Sequence, residues 1–370
     1  MLPGQISLFL SGDVMTGRGV DQVLPHPGKP RLFEPYVKDA RDYVVIAEQE
    51  NGLIPKPVSY SYIWGDALKA LEKMAPDVRI VNLETSITRH DEFWPGKGIH
   101  YRMHPGNIPC ITSAGIDCCV LANNHVLDWG YKGLQETLQT LTDANIKTAG
   151  AGKHAEQAGA PVVMEVGKKG RVIVFAYGME SSGIPRGWAA QVDRSGINLL
   201  ADLSTETSQR VARGVKAVKR AGDIVVASIH WGGNWGYRIP TEYTRFAHEL
   251  IDIAGVDIIH GHSSHHAKGI EVYKDKPIIY GCGDLLNDYE GIRGNEHYRD
   301  DLSLMYFIHM HPATGKLVGL EMVPHQIRRF RLNKVSSKDA AWLRETMDRE
   351  CRRFASRVEL SSEKHLVLGW

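Results

Sequence analysis

The sequence predicts an α/β protein in which helices cover a sheet, and three observations lead there. Short apolar runs alternate with amphipathic segments of helical spacing along most of the chain. No apolar run approaches the ~18–20 residues of a membrane span. The apolar runs end, one after another, in residues able to bind a metal: Asp13, Glu84, Asn124-His125, His230, and the cluster His260, His262, His265, His266.

In chain order, Ile6–Leu10 reads as a buried strand ending in Ser-Gly-Asp. Asp66–Met74 has helical spacing, and Val78–Val81 is a second strand running into Asn82-Leu83-Glu84. Ile108–Ala114 reads as helix and Cys118–Leu121 as a third strand, followed by Tyr131–Ala144, whose Leu134, Leu138 and Leu141 share one helical face. Val172–Ala176 and Ile224–Ile229 are strands flanking the helix Ser204–Arg220. Phe246–Ala254 is helix, and Asp257–Ile259 and Pro277–Tyr280 are strands. Leu304–Met310 and Lys316–Pro324 pair across the turn Pro-Ala-Thr-Gly, and Ala340–Phe354 closes the chain as a helical extension. The stretches Pro25–Pro35, Phe93–Asn107, Glu180–Ser195 and Asp288–Asp301 read as long loops on one scaffold, so a single domain over 1–370 is expected. Loops of such length are usually functional.

Composition narrows the function classes. The 370 residues carry 44 Lys+Arg against 43 Asp+Glu, a formal charge of +1, which argues against a dedicated nucleic-acid partner. The N-terminal stretch has no basic region and meets Asp13 early, so it reads as strand and not signal peptide. Cys110, Cys118, Cys119, Cys282 and Cys351 form no CxxC pair and read as reduced, buried thiols of a cytoplasmic protein without a membrane partner. Gly12–Gly19 is glycine-rich but lacks Gly-Lys-Ser/Thr, so no nucleotide loop and no organic cofactor are expected.

In an open α/β sheet the carboxyl ends of the strands converge on one crevice, so the strand-end residues are expected to meet. A carboxylate, amide and imidazole set suits one or two divalent ions, Mn, Fe, Zn, Mg or Ca. Asp128 lies three residues after His125, where it either orients the imidazole or caps the helix that follows. His297, in the 288–301 loop, is a second acid/base candidate. Arg18 suits a carboxylate or phosphate group. Trp231 and Trp235, separated by glycines, suit the wall of an organic or peptidic pocket.

The segments Ser-Gly-Asp13-Val-Met-Thr-Gly-Arg18, Val-Asn-Leu-Glu84-Thr, Leu-Ala-Asn-Asn124-His125-Val-Leu-Asp128-Trp-Gly, Ser-Ile-His230-Trp-Gly-Gly, Gly261-His262-Ser-Ser-His265 and Ile-Tyr-Gly-Cys-Gly-Asp284 resemble the capsule-biosynthesis (CapA, poly-γ-glutamate synthesis) family of the calcineurin-like metallophosphatase superfamily. The resemblance implies that superfamily's fold, a two-sheet αββα sandwich with a dinuclear metal centre at the strand ends. It implies metal contacts from Asp13, Glu84, Asn124, His230 and the histidines around His262, with His125 as acid/base beside the metal. Asp13 stands among the catalytic candidates as well. Three positions depart from the superfamily pattern: Met15 stands where a histidine ligand is usual, Glu84 replaces a bridging aspartate, and Ser263-Ser264-His265 replaces His-Pro-His. Strand alternation places His260 and His262 on one side, whereas gap-free alignment favours His262 and His265.

The family's soluble members resemble the lasso-peptide epimerases. The expected function is therefore metal-assisted epimerisation at the Cα of the C-terminal residue of a ribosomal precursor peptide, with that peptide as partner. Such chemistry needs a base, an acid and an electrophile. The alternatives are a metal-dependent phosphoesterase and a capsule or poly-γ-glutamate biosynthesis protein.

Overall fold

The computed structural model describes residues 4–370; residues 1–3 of the stretch read as the first strand lie outside them. Two sheets face each other. The larger runs Arg357–Leu360, Leu366–Gly369, Lys316–Ile327, Leu302–His311, Ile6–Val14, Val78–Leu83, Cys118–Val120, Lys147–Ala149, with Asp284–Leu286 also pairing the first strand. The smaller has six strands, in the order Ile270–Tyr273, Lys276–Ile279, Ile258–His262, Ile224–His230, Arg171–Gly178, Val162–Glu165. The expected strands are all present, and the two-layer arrangement implied by the resemblance is the one observed.

Period-2 alternation explains how the sheets meet. In Ile224–His230, Ile224 and Val226 join the core between the sheets with Ile6, Leu8 and Leu10, whereas Val225, Ala227 and Ile229 turn outward. That outer face packs under the helices Thr205–Val218 and Thr241–Asp252 through Val211, Val215, Phe246 and Leu250. Ser228 and His230 continue the inner row, in register with His260 and His262 of the neighbouring parallel strand. The polar ends of apolar strands therefore stay between the sheets.

Acid–base pairs pin the opposite edge. Asp77, just before Val78–Leu83, accepts from Lys169, which precedes Arg171–Gly178 of the other sheet, at 2.7 Å. Asp223 holds Arg171 through two bonds of 2.9 and 2.6 Å, and Asp257 accepts from Lys219 and from Lys276.

Two expectations need correction. The helix over Ile108–Ala114 is a single turn, Pro109–Thr112, preceded by a 3-10 turn at Pro105–Asn107. The C-terminal extension is not only helical. After Ser337–Cys351 the chain forms the hairpin Arg357–Leu360/Leu366–Gly369, which joins the large sheet beside Lys316–Ile327. There Val358, Leu366 and Leu368 are buried while Glu359 and Val367 are exposed, a half-buried strand pattern. A helix over Ala40–Asn51 was not foreseen, because its buried stripe is only Ala40, Tyr43, Val44 and Ala47; Asp39 caps its start and Gly52, at φ 85°, ends it. All five cysteines are buried and free. No helix among the described residues is long and apolar enough to cross a membrane.

Candidate metal centre

Asp13 ends the first strand and stands opposite Asn82 in the parallel register. Asn82 donates to Asp13 Oδ1 at 2.7 Å, and its own Oδ1 accepts from Asn123 at 3.0 Å. Two sets of potential ligands share Asp13: one adds His230 and His262, the other His265 and Asp284, with the donor atoms of each set within 4.8 Å of one another. Glu84 approaches from the second strand, 3.9 Å from His230 Nε2 and 3.7 Å from His125 Nε2.

Hydrogen-bond polarity shows how the histidines are aimed. His260 Nε2 lies 2.8 Å from the carbonyl of Ser11, which only accepts, so the ring proton sits there. Its Nδ1 then accepts from Ser228 Oγ at 3.0 Å, and that hydroxyl in turn accepts from His262 Nε2 at 2.8 Å. His230 is held likewise, Nε2 on Asn124 Oδ1 at 3.0 Å. Both Nδ1 lone pairs are left converging 2.7 Å apart, with Asp13 Oδ1 3.9 Å from His262 Nδ1. Histidine ligands are oriented for a metal in this way, through their other nitrogen. The turn after His262 is strained: Ser263 adopts φ 102° and donates its backbone N–H to Asp13 Oδ2 at 3.3 Å. That reversal brings His265 back to the same carboxylate.

The charges agree with a cation site. Burial, then the Asp284 carboxylate, pushes Asp13 up to about 7. Burial and the neighbouring Asp13 push Glu84 well above the carboxylate range. Burial lowers His230 and His262, which favours the neutral, ligating imidazole. His265 goes the other way, because the Asp284 carboxylate at 2.9 Å outweighs the burial that opposes its charge. A divalent ion would reverse the carboxylate shifts, and the mixed oxygen and imidazole donors fit Mn, Fe or Zn.

Beside the cluster lies a His–Asp pair. His125 Nδ1 is 2.6 Å from Asp128 Oδ2, so Nε2 faces Glu84 and the ligands. Asp128 also accepts from the Tyr101 backbone N–H at 2.6 Å and from Lys97 Nζ at 2.5 Å. Its side chain therefore orients the imidazole and does not cap Gly130–Asp143, where no side-chain cap bond is formed. Burial, together with Lys97, takes His125 down to about 4 despite Asp128, so the ring is neutral near pH 7.

The remaining candidates separate. His260 is displaced from the ligand set because both its nitrogens are engaged; it shares the inner face with His262 but lies one pleat deeper. Asn124 Oδ1 is occupied by His230. Arg18 is not free for a substrate anion: it is buried, paired with Asp288 and Glu34, and bonded to Tyr43 OH at 2.9 Å. Trp231 is core, with Nε1 on the Tyr280 carbonyl and its ring stacked on Tyr243. Trp235 stands edge-on to His265 at 5.3 Å and lines, with Tyr289, Tyr36 and Ile99, a cavity of about 390 Å³ that reaches His265. His297 is exposed on the 3-10 turn Glu296–Tyr298, its ring tilted against Tyr298, and does not line that cavity.

Sequence reasoning passed over Lys97, Asn82 and Asp284 as site residues. The signal for Asn82 was an amide inside an otherwise apolar strand, and for Asp284 a strand-end Gly-Asp like that at Asp13. Lys97 sits in a loop where nothing local marks it. Met15 is buried, and the Tyr289 hydroxyl that touches its sulfur at 3.6 Å also stands 3.5 Å from His265 Nε2.

The sequence profile of the family described as bacterial capsule synthesis protein PGA_cap matches residues 7–289, a span holding every candidate above except His297. A probable polyglutamine synthesis accessory protein of Mycobacterium tuberculosis is 49% identical over 357 residues, covering 96% of this chain and 94% of the relative. The PGA biosynthesis protein CapA of Bacillus subtilis is 26% identical over 344 residues, 92% of this chain and 77% of that protein. A solved phosphatase of Mycoplasma pneumoniae aligns over 89% of this chain and 95% of its own at 12% identity, with a TM-score of 0.48.

Proposed function

We propose, from the premise that this chain belongs to the bacterial capsule synthesis protein family, that it is a metal-dependent phosphoesterase serving the synthesis of a capsular or polyglutamine-type polymer. One observation carries the reading: two ligand sets share Asp13 beside an oriented His125–Asp128 pair. Divalent ions held there would polarise a phosphoryl oxygen and stabilise the charge that develops in an in-line displacement. His125 Nε2, neutral and aimed at the cluster, takes or returns the proton of the reacting oxygen. Asp128 keeps the ring proton on Nδ1, and Lys97 balances that carboxylate. Trp235 and Tyr289 form an apolar wall beside His265, suited to the organic part of the ester. The polymer setting rests on the likeness to capsule and polyglutamine synthesis proteins.

Cα inversion in a lasso-type peptide, the function expected from the epimerase resemblance, asks for a second acid/base group across the substrate from His125. The exposed His297 does not line the cavity that reaches the cluster, whereas hydrolysis needs only the one imidazole.

The test is metal analysis joined to turnover. The chain loaded with Mn, Fe, Zn or Mg should cleave an aryl phosphoester, and Asp13→Asn should lose bound metal and at least a hundredfold in rate while keeping its fold. Full metal occupancy with no cleavage of any mono- or diester tried would sink the phosphoesterase reading.

A further inference from the structure

We propose a second binding site, for an organic carboxylate, in the cleft lined by Lys29, Arg31, Phe33, His100, Arg102 and Trp129. Two adjoining cavities share Lys29, Arg31, Arg102 and Trp129: an outer one of about 170 Å³ and an inner one of about 10 Å³, the size of a water. Lys29, Arg31 and Arg102 meet there against the acids Asp91 and Asp21, while Arg18, which also lines the inner cavity, is already paired with Asp288 and Glu34. Arg102 and Lys29 both reach Asp91, and Arg102 also donates to the carbonyls of His90 and Lys29 at 2.6 and 3.0 Å. Arg31 is different. Among the described residues its guanidinium makes no ion pair or hydrogen bond; it rests over the Phe33 ring at 5.1 Å. A planar fork of donors left free beside two further cations matches a carboxylate.

A second feature shows what the inner cavity holds. His100 is buried and lines the inner cavity, with Nε2 on the Trp94 carbonyl at 2.9 Å, yet its Nδ1 has no partner. With Nε2–H given to that carbonyl, Nδ1 is an acceptor, so a water in the inner cavity meets it and turns its other hydrogen toward the carboxylate. The floor selects among anions. Arg102 lies over the Trp129 ring at 3.8 Å, and Phe33, which backs the free Arg31, stacks on Phe93 at 3.8 Å, so both guanidinium groups rest on aromatic faces. Such a floor favours a carboxylate carried on a short methylene chain over bare phosphate, which has no apolar surface to bury. The site stands on its own geometry and does not depend on the phosphoesterase reading.

Isothermal titration of the metal-loaded chain with glutarate at low salt tests it. Saturable binding is expected, weakened at least tenfold in the double variant Lys29→Met/Arg31→Met, whose changes lie on the exposed rim and leave the anchored Arg102 in place. Inorganic phosphate should bind that cleft more weakly than glutarate. No saturable glutarate binding, or binding that the double variant retains in full, overturns the site. Phosphate binding there as tightly as glutarate, and lost in the double variant, overturns the assignment to an organic carboxylate.

Discussion

In the proposed reaction a single ring nitrogen carries much of the chemistry. His125 Nε2 is free to exchange a proton because Asp128 fixes the other nitrogen as donor. Asp128→Asn keeps the side chain's shape but offers an N–H where the imidazole needs an acceptor, so the ring turns or changes tautomer. We expect kcat on a phosphoester to fall ~10²–10⁴-fold, with bound metal unchanged. Metal loss in parallel with activity would mean that Asp128 holds the centre together and does not tune its base. Lys97 belongs to the same unit, and it was illegible in the sequence because a lysine in a Gly-rich loop resembles any solvated lysine. Only the folding of the loop over His125 leaves it half-buried against Asp128.

At the level of elements, the two parallel strands Ile224–His230 and Ile258–His262 carry the imidazole relay. His260 links the sheets through the Ser11 carbonyl and passes its polarity through Ser228 to His262. His260→Ala should therefore cost about 1–3 kcal/mol of stability from the groups left unsatisfied, and lower metal affinity ~10–100-fold without abolishing saturation at high metal. His262→Ala should abolish one bound ion outright. Equal loss of metal in the two variants would show that His260 ligates directly. The first of the two strands is pinned at its other end to the neighbouring strand Arg171–Gly178 by the pair Arg171–Asp223. Burial opposes the charge on Asp223, but the two Arg171 bonds and the Arg220 backbone N–H outweigh it and hold its pKa below the ordinary value. A pKa lowered on folding gives stability that is present above the unfolded value of ~3.9 and lost as pH falls through the folded one. Asp223→Asn should thus lower Tm at pH 7, with the gap to the parent closing as pH drops below about 4. A gap independent of pH would show that the carboxylate charge contributes nothing.

Over the whole molecule, charged residues serve opposite ends of the sandwich differently. At one edge Asp77, Asp223 and Asp257 meet lysines and arginines and tie the strands together. At the other, Asp13, Glu84 and Asp284 crowd together with the imidazoles of His230, His262 and His265, an arrangement that asks for a cation. The large loops gather at that second edge, where the 93–107 loop brings Lys97 and Tyr101 to the His–Asp pair. The C-terminal hairpin does the remaining structural work by extending the large sheet beyond Lys316–Ile327.

Local pattern determined a great deal. Alternation and apolar runs placed the strands, and a polar residue closing each run marked Asp13, Glu84, His230 and His262 before any contact was known, because a buried strand tolerates such residues only where something else meets them. Period-2 geometry also put His260 and His262 on one face, as observed. What decided between them was depth: the carbonyl of Ser11, from a strand 249 residues away in the chain, occupies His260 and leaves His262 to the cluster. The same holds for Arg18 and Trp231, which are engaged by Asp288, 270 residues away, and by the carbonyl of Tyr280, 49 residues away, and not by a substrate. Residue type and spacing report what a side chain is able to do. Which of its atoms remain free to do it is set by partners that only the tertiary fold brings within hydrogen-bond distance.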